Sequence, residues 1–382
     1  KNQTINMLNI QVSSGELLKL ASICANAIPS RAVMVILKDF YCEVKDSKLY
    51  MTGSDLEFTV QGMIPVTSNG DGRFSLQAES LIATLRELPE QPIELEYDVD
   101  TLSIQIKSST GHYKSACNNV NDYPELPTFT EDNQLIISSD RLLKALNTCA
   151  FATSTDEMKT NMLGINMAIL PGCIEFVATN SHKLVKFTVF TDQEDLEKSM
   201  ILPKKVLSIL KSMVNEDLPV TILFTKNQVK FMYKDLEITA KLIDLAYPKY
   251  NSVIPVDNDK TVVVDRNILI HTLRRLIVYG NKTTFQTNIT VNDNQMVLDT
   301  TDIEFSNEAV ETIPCQYEGE TLELCYNAKY LIESLSNLVT DEVKFLISQS
   351  DRAALLLPKE NEIGEDILMI VMPVMKWRGL NE

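Results

Sequence analysis

The 382-residue chain carries little of what marks most catalytic, secreted or membrane proteins. Its three histidines are His112, His182 and His271, and no two are spaced as metal ligands. No GxGxxG, Walker A or GxSxG pattern occurs, which removes the usual nucleotide-binding and serine-hydrolase signatures. The seven cysteines (24, 42, 117, 149, 173, 315 and 325) are dispersed, odd in number and form no CxxC. They are expected to be reduced thiols of a cytosolic protein, with Cys24, Cys149, Cys173 and Cys325 in apolar contexts. No apolar run approaches about 18 residues, so no membrane span is expected. The opening KNQTINMLNI lacks the basic-then-apolar layout of a signal peptide.

Ser181 and His182, with Asp156, are the one hint of a hydrolase triad. Adjacent Ser and His seldom bring Oγ against the imidazole, and no oxyanion loop is evident. Asp55 and Glu57 read as surface or turn residues rather than general acids. The chain is therefore read as non-catalytic, with no metal and no cofactor.

What is present is acidic and rich in strands. Lys and Arg number 35 against 52 Asp and Glu, a net charge of −17. Taken as a whole, this opposes a nucleic-acid partner. At about 100–200 residues per domain, the length allows two to four domains. Period-2 segments such as IELEYDV (93–99), VKFMYK (229–234) and QMVLDTT (295–301) predict strands. Six segments have helical spacing instead: 13–27, 77–88, 138–150, 203–213, 265–282 and 327–337. Ser, Asp or Asn caps, or Pro in the first turn, mark their starts. A helix recurs about every 63 residues with three or four strands between neighbours, which predicts six copies of one helix-plus-sheet unit. Two copies make a domain of about 125 residues, giving three in series. Proline-bearing DYPELPTF (122–129) and AYPKYNSVIP (246–255) fall at the expected boundaries. The domains are placed at 1–127, 128–255 and 256–382.

Charge is unevenly distributed. The six helical segments together carry +6, so the rest of the chain carries −23. Helices gathered on one surface would attract a polyanion while the remainder repels it. Their basic residues form no dense Arg/Asn/Gln face, which fits phosphate contact better than base reading.

Seven motifs in order resemble the bacterial β sliding clamps, the processivity subunits of DNA polymerase III. They are MTGSDLEFTV (51–60), FATSTDEMKTNMLGI (151–165), FVATNSHKLVKF (176–187), ILPKKVLSIL (201–210), AYPKYNSVIP (246–255), LELCYNAKYLIESL (322–335) and IVMPV (370–374). The resemblance covers essentially the whole chain. It implies an α+β DNA clamp fold of three tandem domains, helices on the inner face and antiparallel sheets outside. Two copies would close head to tail into a homodimeric ring around double-stranded DNA. A non-DNA protein scaffold built from the same repeats is the alternative.

The resemblance also implies partners and residues. Clamp loader, replicative polymerase, repair polymerases, ligase and mismatch-repair proteins would insert short linear motifs into a pocket between the second and third domains. Its wall would include Met162, Leu163 and Gly164, then Thr179, His182, Lys183 and Leu184. Pro248, Val253 and Phe285 would join it, with Asn327, Tyr330, Val371, Met372 and Pro373. DNA contacts would come from Arg31, Arg86, Lys144, Lys204, Lys205, Arg274 and Arg275. Tyr113, Val278 and Tyr279 would meet at the ring joint. The family commonly has Gly where this chain has Ser181, Arg where it has Lys183, and Arg where it has Ser252. The tail MPVMKWRGLNE is extended and would bring Trp377 near the pocket rim. The implied setting is the bacterial cytoplasm, at the nucleoid during replication.

Overall fold

Alternation becomes burial along the strands. In Met7–Ser13, Leu8, Ile10 and Val12 point into the core while their neighbours face out, and Ile93, Leu95 and Tyr97 do the same in Pro92–Asp98. The structure, a computed structural model, describes residues 7–129 and 133–374. Six α-helices are found among these: α1 (Ser14–Cys24), α2 (Ala78–Glu87), α3 (Ser139–Ala150), α4 (Lys205–Met213), α5 (Arg266–Tyr279) and α6 (Ala328–Ser336). Each falls inside its predicted segment. Asp265 and Asn327 cap α5 and α6 by accepting backbone N–H bonds, and Ser13 caps α1. Two start signals differ from expectation. Gln77 precedes α2 without a side-chain cap bond, and Pro203 ends a strand, paired with Gly164, instead of opening α4.

The chain divides into two compact units, residues 1–143 with 205–242, and residues 144–204 with 243–382. The first holds two sheets. One runs Thr67–Ser68, Met7–Ser13, Pro92–Asp98, Ser103–Lys107, His112–Ala116. The other has eight strands: Asn133–Ser138, Pro219–Phe224, Gln228–Tyr233, Leu236–Lys241, Phe58–Pro65, Lys48–Ser54, Asp39–Lys45 and Gly72–Gln77. Its middle is the antiparallel pairing of Leu236 with Gly62 through Ala240 with Phe58. Gly62 lets the two strands and α1 pack closely there: a Cβ would lie 2.5 Å from both Leu20 Cδ1 and Leu236 Cδ2, and those side chains would have to shift.

The second unit has the same plan. Its eight-stranded sheet runs Lys198–Pro203, Gly164–Leu170, Cys173–Thr179, Lys183–Phe190, Glu365–Val371, Ala354–Pro358, Glu342–Ile347 and Lys260–Asp265. A four-stranded sheet runs Asn307–Pro314, Gln295–Asp302, Gln286–Asn292, Leu322–Asn327.

The repeat is visible in single hydrogen bonds. Cys24 Sγ donates to the Met51 carbonyl and Cys149 Sγ to that of Phe176, each 3.3 Å and 27 residues along. Ser54 Oγ donates to Phe58 O and Thr179 Oγ1 to Lys183 O, each four residues along. Asp55 Oδ1 accepts from the N–H groups of Glu57 and Phe58, and Asn180 Oδ1 from those of His182 and Lys183. Equivalent positions are therefore about 125 residues apart, two helix periods. Asp55 is a turn residue, as read from sequence. Cys42 and Cys315 are buried along with Cys24, Cys149 and Cys325, while Cys173 is only half-buried; all seven are free thiols.

Candidate functional site

The expected pocket residues all belong to the second unit and converge on one end of its eight-stranded sheet. The turn Asn180–Lys183 joins two adjacent strands, and its last residue pairs with Val371. Beyond that pair, the Met372 N–H donates to His182 O at 2.9 Å, and Val374 N–H to Cys325 O at 2.8 Å. These two bonds lay Val371, Met372 and Pro373 alongside His182 and the strand leading into α6.

From α6, Tyr330 stacks on His182 with centroids 5.7 Å apart and planes 16° from parallel. Asn327 holds the helix start through two backbone bonds and donates from Nδ2 to Thr284 O at 2.8 Å, fixing the loop before Phe285. Leu184 is buried against Val177, Ala353, Leu355 and Ile370, with Tyr247, Tyr250 and Ile254 packed on that cluster. Pro248 and Val253 come from the same 246–255 segment, and Val253 is exposed. Met162, Leu163 and Pro248 are half-buried, His182 and Met372 exposed, and Gly164 and Thr179 buried. An exposed His182 ring and Met372 thioether, with half-buried Tyr330 and Met162, over a buried apolar floor suit the capture of apolar side chains.

Ser181 sits at φ +80° and Leu56, its repeat equivalent, at +74°. Both are in the left-handed region that glycine enters without strain. Ser181 Oγ accepts from Lys159 Nζ at 3.2 Å and lies 3.5 Å from Met162 Sδ, and Asp156 accepts from the Met158 N–H. The three residues of the hypothetical triad are thus engaged elsewhere. Among the described residues no group of His, Cys, Asp and Glu could hold a metal ion. A cleft of about 850 Å³ in the first unit, lined by Glu43, Arg73, Tyr97 and Asp100, contains none of the expected site residues. Trp377 lies outside the described residues.

The expected DNA contacts fall into two groups. Arg31, Arg86, Lys204 and Arg274 are exposed, with no ion pair recorded among the described residues. Lys144, Lys205 and Arg275 are neutralised. Lys144 Nζ lies 2.6 Å from both Glu362 and Glu365. Lys205 Nζ lies 2.6 Å from Asp55 Oδ2 and 4.7 Å from the Phe58 ring centroid. Arg275 forks onto both oxygens of Glu311 and holds that carboxyl below its ordinary range. None of these partners was read from sequence, since they lie 221, 150 and 36 residues away for Glu365, Asp55 and Glu311.

Comparison with known proteins matches three family models in order. They are the N-terminal domain of the DNA polymerase III beta subunit over residues 8–127, its central domain over 136–249 and its C-terminal domain over 251–374. The chain belongs to the bacterial β sliding clamp family. The beta sliding clamp of Synechococcus elongatus is 26% identical over 364 residues, covering 92% of this chain and 95% of that protein. That of Bacillus subtilis is 26% identical over 367 residues with the same coverage. Among solved structures, the Pseudomonas aeruginosa clamp bound to griselimycin aligns with a TM-score of 0.91 at 22% identity, over 97% of this chain and 100% of that one. The Bacillus subtilis clamp gives 0.90 at 23%, with the same coverage.

The α+β reading and the clamp fold are thereby established, and the function is that of a non-catalytic sliding clamp of DNA polymerase III. No helix among the described residues is long and apolar enough to cross a membrane. In this clamp, Tyr113 is exposed on His112–Ala116, which ends its sheet with one side unpaired. Val278 and Tyr279 are exposed at the end of α5. Ile303, Phe305 and Val310, not singled out from the sequence, are also exposed, on the hairpin that packs against α5. ITVNDNQMVLDTTDIEFSNEAV shows apolar residues persisting past the strand end, which was the available signal.

Proposed function

We propose that two copies of this clamp close head to tail around double-stranded DNA and tether replication proteins through the pocket of the second unit. The observation that most supports the pocket is the stacked His182–Tyr330 pair bordered by Met372 over a buried apolar floor. Clamp loader, replicative polymerase and repair proteins would enter it with short apolar motifs. Griselimycin, bound by the Pseudomonas aeruginosa clamp, would compete for it. We place the three domains at 1–127, 128–255 and 256–382.

The ring joint pairs two edges. His112–Ala116 carries exposed Lys114, and Asn307–Pro314, the edge of the four-stranded sheet, carries exposed Glu308. Edge pairing with opposite charge buries backbone groups that would otherwise template aggregation. A heterologous contact of this kind gives a finite assembly because two copies close it. DNA inside would meet weak phosphate contacts from Arg31, Arg86, Lys204 and Arg274, which permit sliding where base contacts would act as a brake. The protein-scaffold reading draws on the neutralisation of Lys144, Lys205 and Arg275.

The test is retention. The protein is loaded by a clamp loader onto nicked circular DNA, and the circle is then linearised. Retention on circles and loss from free ends is expected; equal loss from both overturns the ring. Lys204→Glu should lower loading or sliding, and an unchanged outcome favours the scaffold.

A further inference from the structure

Lys183 is the most buried cation of the pocket, with 5% of its side chain exposed. At the equivalent position of the first repeat stands Phe58, which is also buried. A buried ammonium where the repeat tolerates a phenyl ring calls for an explanation beyond packing, since desolvation penalises the charge. Its surroundings are complete. Nζ donates to Oε2 of Glu333, lies 4.8 Å from the Phe151 ring centroid and 5.4 Å from that of Tyr330. Glu333 is one turn along α6 from Tyr330, with 35% of its side chain exposed. The cation is therefore covered by two rings, and of the ion pair it is the Glu333 carboxylate that reaches solvent.

We propose that Glu333 is the specificity determinant of the peptide pocket: by capping Lys183 it makes the pocket favour segments with a basic or neutral residue beside their apolar anchors and reject acidic ones. This rests on the pocket being the peptide site. An uncapped Lys183 would do the reverse and draw an acidic residue toward Tyr330. Discrimination by a repelling group already in place is inexpensive, because it needs no new contact with the correct partner.

The experiment uses the full-length protein and fluorescein-labelled heptapeptides with fixed Leu and Phe anchors and one flanking position set to Asp, Asn or Lys. Affinities are read by anisotropy at low salt, with griselimycin as competitor. The wild type should bind the Lys peptide at least about fivefold more tightly than the Asp peptide, a gap that narrows in high salt. Glu333→Gln should invert the order. Lys183→Met with Glu333→Gln, which removes both charges and leaves no unpaired cation, should bring the peptides within about twofold of each other. A purely structural role for Glu333 would weaken all peptides alike and leave their order unchanged, which overturns the proposal while keeping the pocket. Should Glu333→Gln not fold, a double variant that retains the wild-type preference overturns it equally. Failure of every peptide and of griselimycin to bind the wild type removes the peptide-site reading and the proposal with it.

Discussion

The hydroxyl of Tyr250 donates to Oε2 of buried Glu175 at 2.6 Å, and Lys186 Nζ meets the other carboxylate oxygen at 3.0 Å. This ties the short helix Tyr250–Val253, and with it the Pro248–Val253 wall, to the sheet beneath. Tyr250→Phe should cost about 1–2 kcal/mol and lower the melting temperature by about 2–4 °C. Lys186→Met should cost more, because it leaves the buried carboxylate with only one neutral partner. Thermal unfolding of the two variants checks the order.

Ser181 at φ +80° should be improved by glycine. Ser181→Gly removes the Cβ conflict and is expected to add about 1 kcal/mol, less the exposed Lys159 bond. Ser181→Val should lose at least as much. Urea midpoints of the three proteins decide this, and a glycine variant weaker than wild type would contradict it.

Lys204 is exposed, whereas its neighbour Lys205 is paired with Asp55. Lys204→Glu should reduce DNA affinity and make the salt dependence shallower, by about 0.9 in slope for each phosphate no longer neutralised. Lys205→Glu brings a second carboxylate to Asp55 and should mainly destabilise the first unit, by about 1 kcal/mol after solvent screening. Salt titrations of DNA binding, paired with melting curves, separate the two effects.

Burial pushes the thiols of Cys24 and Cys117 from 9.0 up to about 12, and raises the Tyr250 hydroxyl, beside Glu175, well above its usual value. In the unfolded chain the thiols ionise first, so the folded state holds more protons above pH 9. Stability should be full below pH 9 and fall progressively between 9 and about 12, by about 1.4 kcal/mol per pH unit for each such group. Urea midpoints at pH 8 and 10 measure the fall, and Cys24→Ala should lessen it. A midpoint unchanged across that range would refute the linkage.

The helices were legible because their periodicity is local, and their basic character because charge can be counted. The 125-residue echo that pairs Cys24 with Cys149 and Asp55 with Asn180 was legible as a period, though not as bonds. What stayed hidden is long-range. Lys183 reads as a pocket residue, but Glu333, which neutralises it, lies 150 positions away. Lys144 reads as a DNA contact, but Glu362 and Glu365, which neutralise it, lie more than 200 positions away. Ser181 could be recognised as a departure from the glycine common in the family, and only the backbone angle says what that departure costs.

The family models cut the chain in three, whereas its packing cuts it in two. The reason lies in the Phe58–Pro65 strand, whose outer neighbour Leu236–Lys241 comes from the central third of the sequence. A fragment ending near residue 127 would carry that strand as a bare edge, with a row of amides seeking any passing β-segment. Such a fragment should aggregate unless the later strands are supplied. Heat should also melt the protein in two cooperative steps, since a foldon follows shared ladders and not the spacing of ancestral copies.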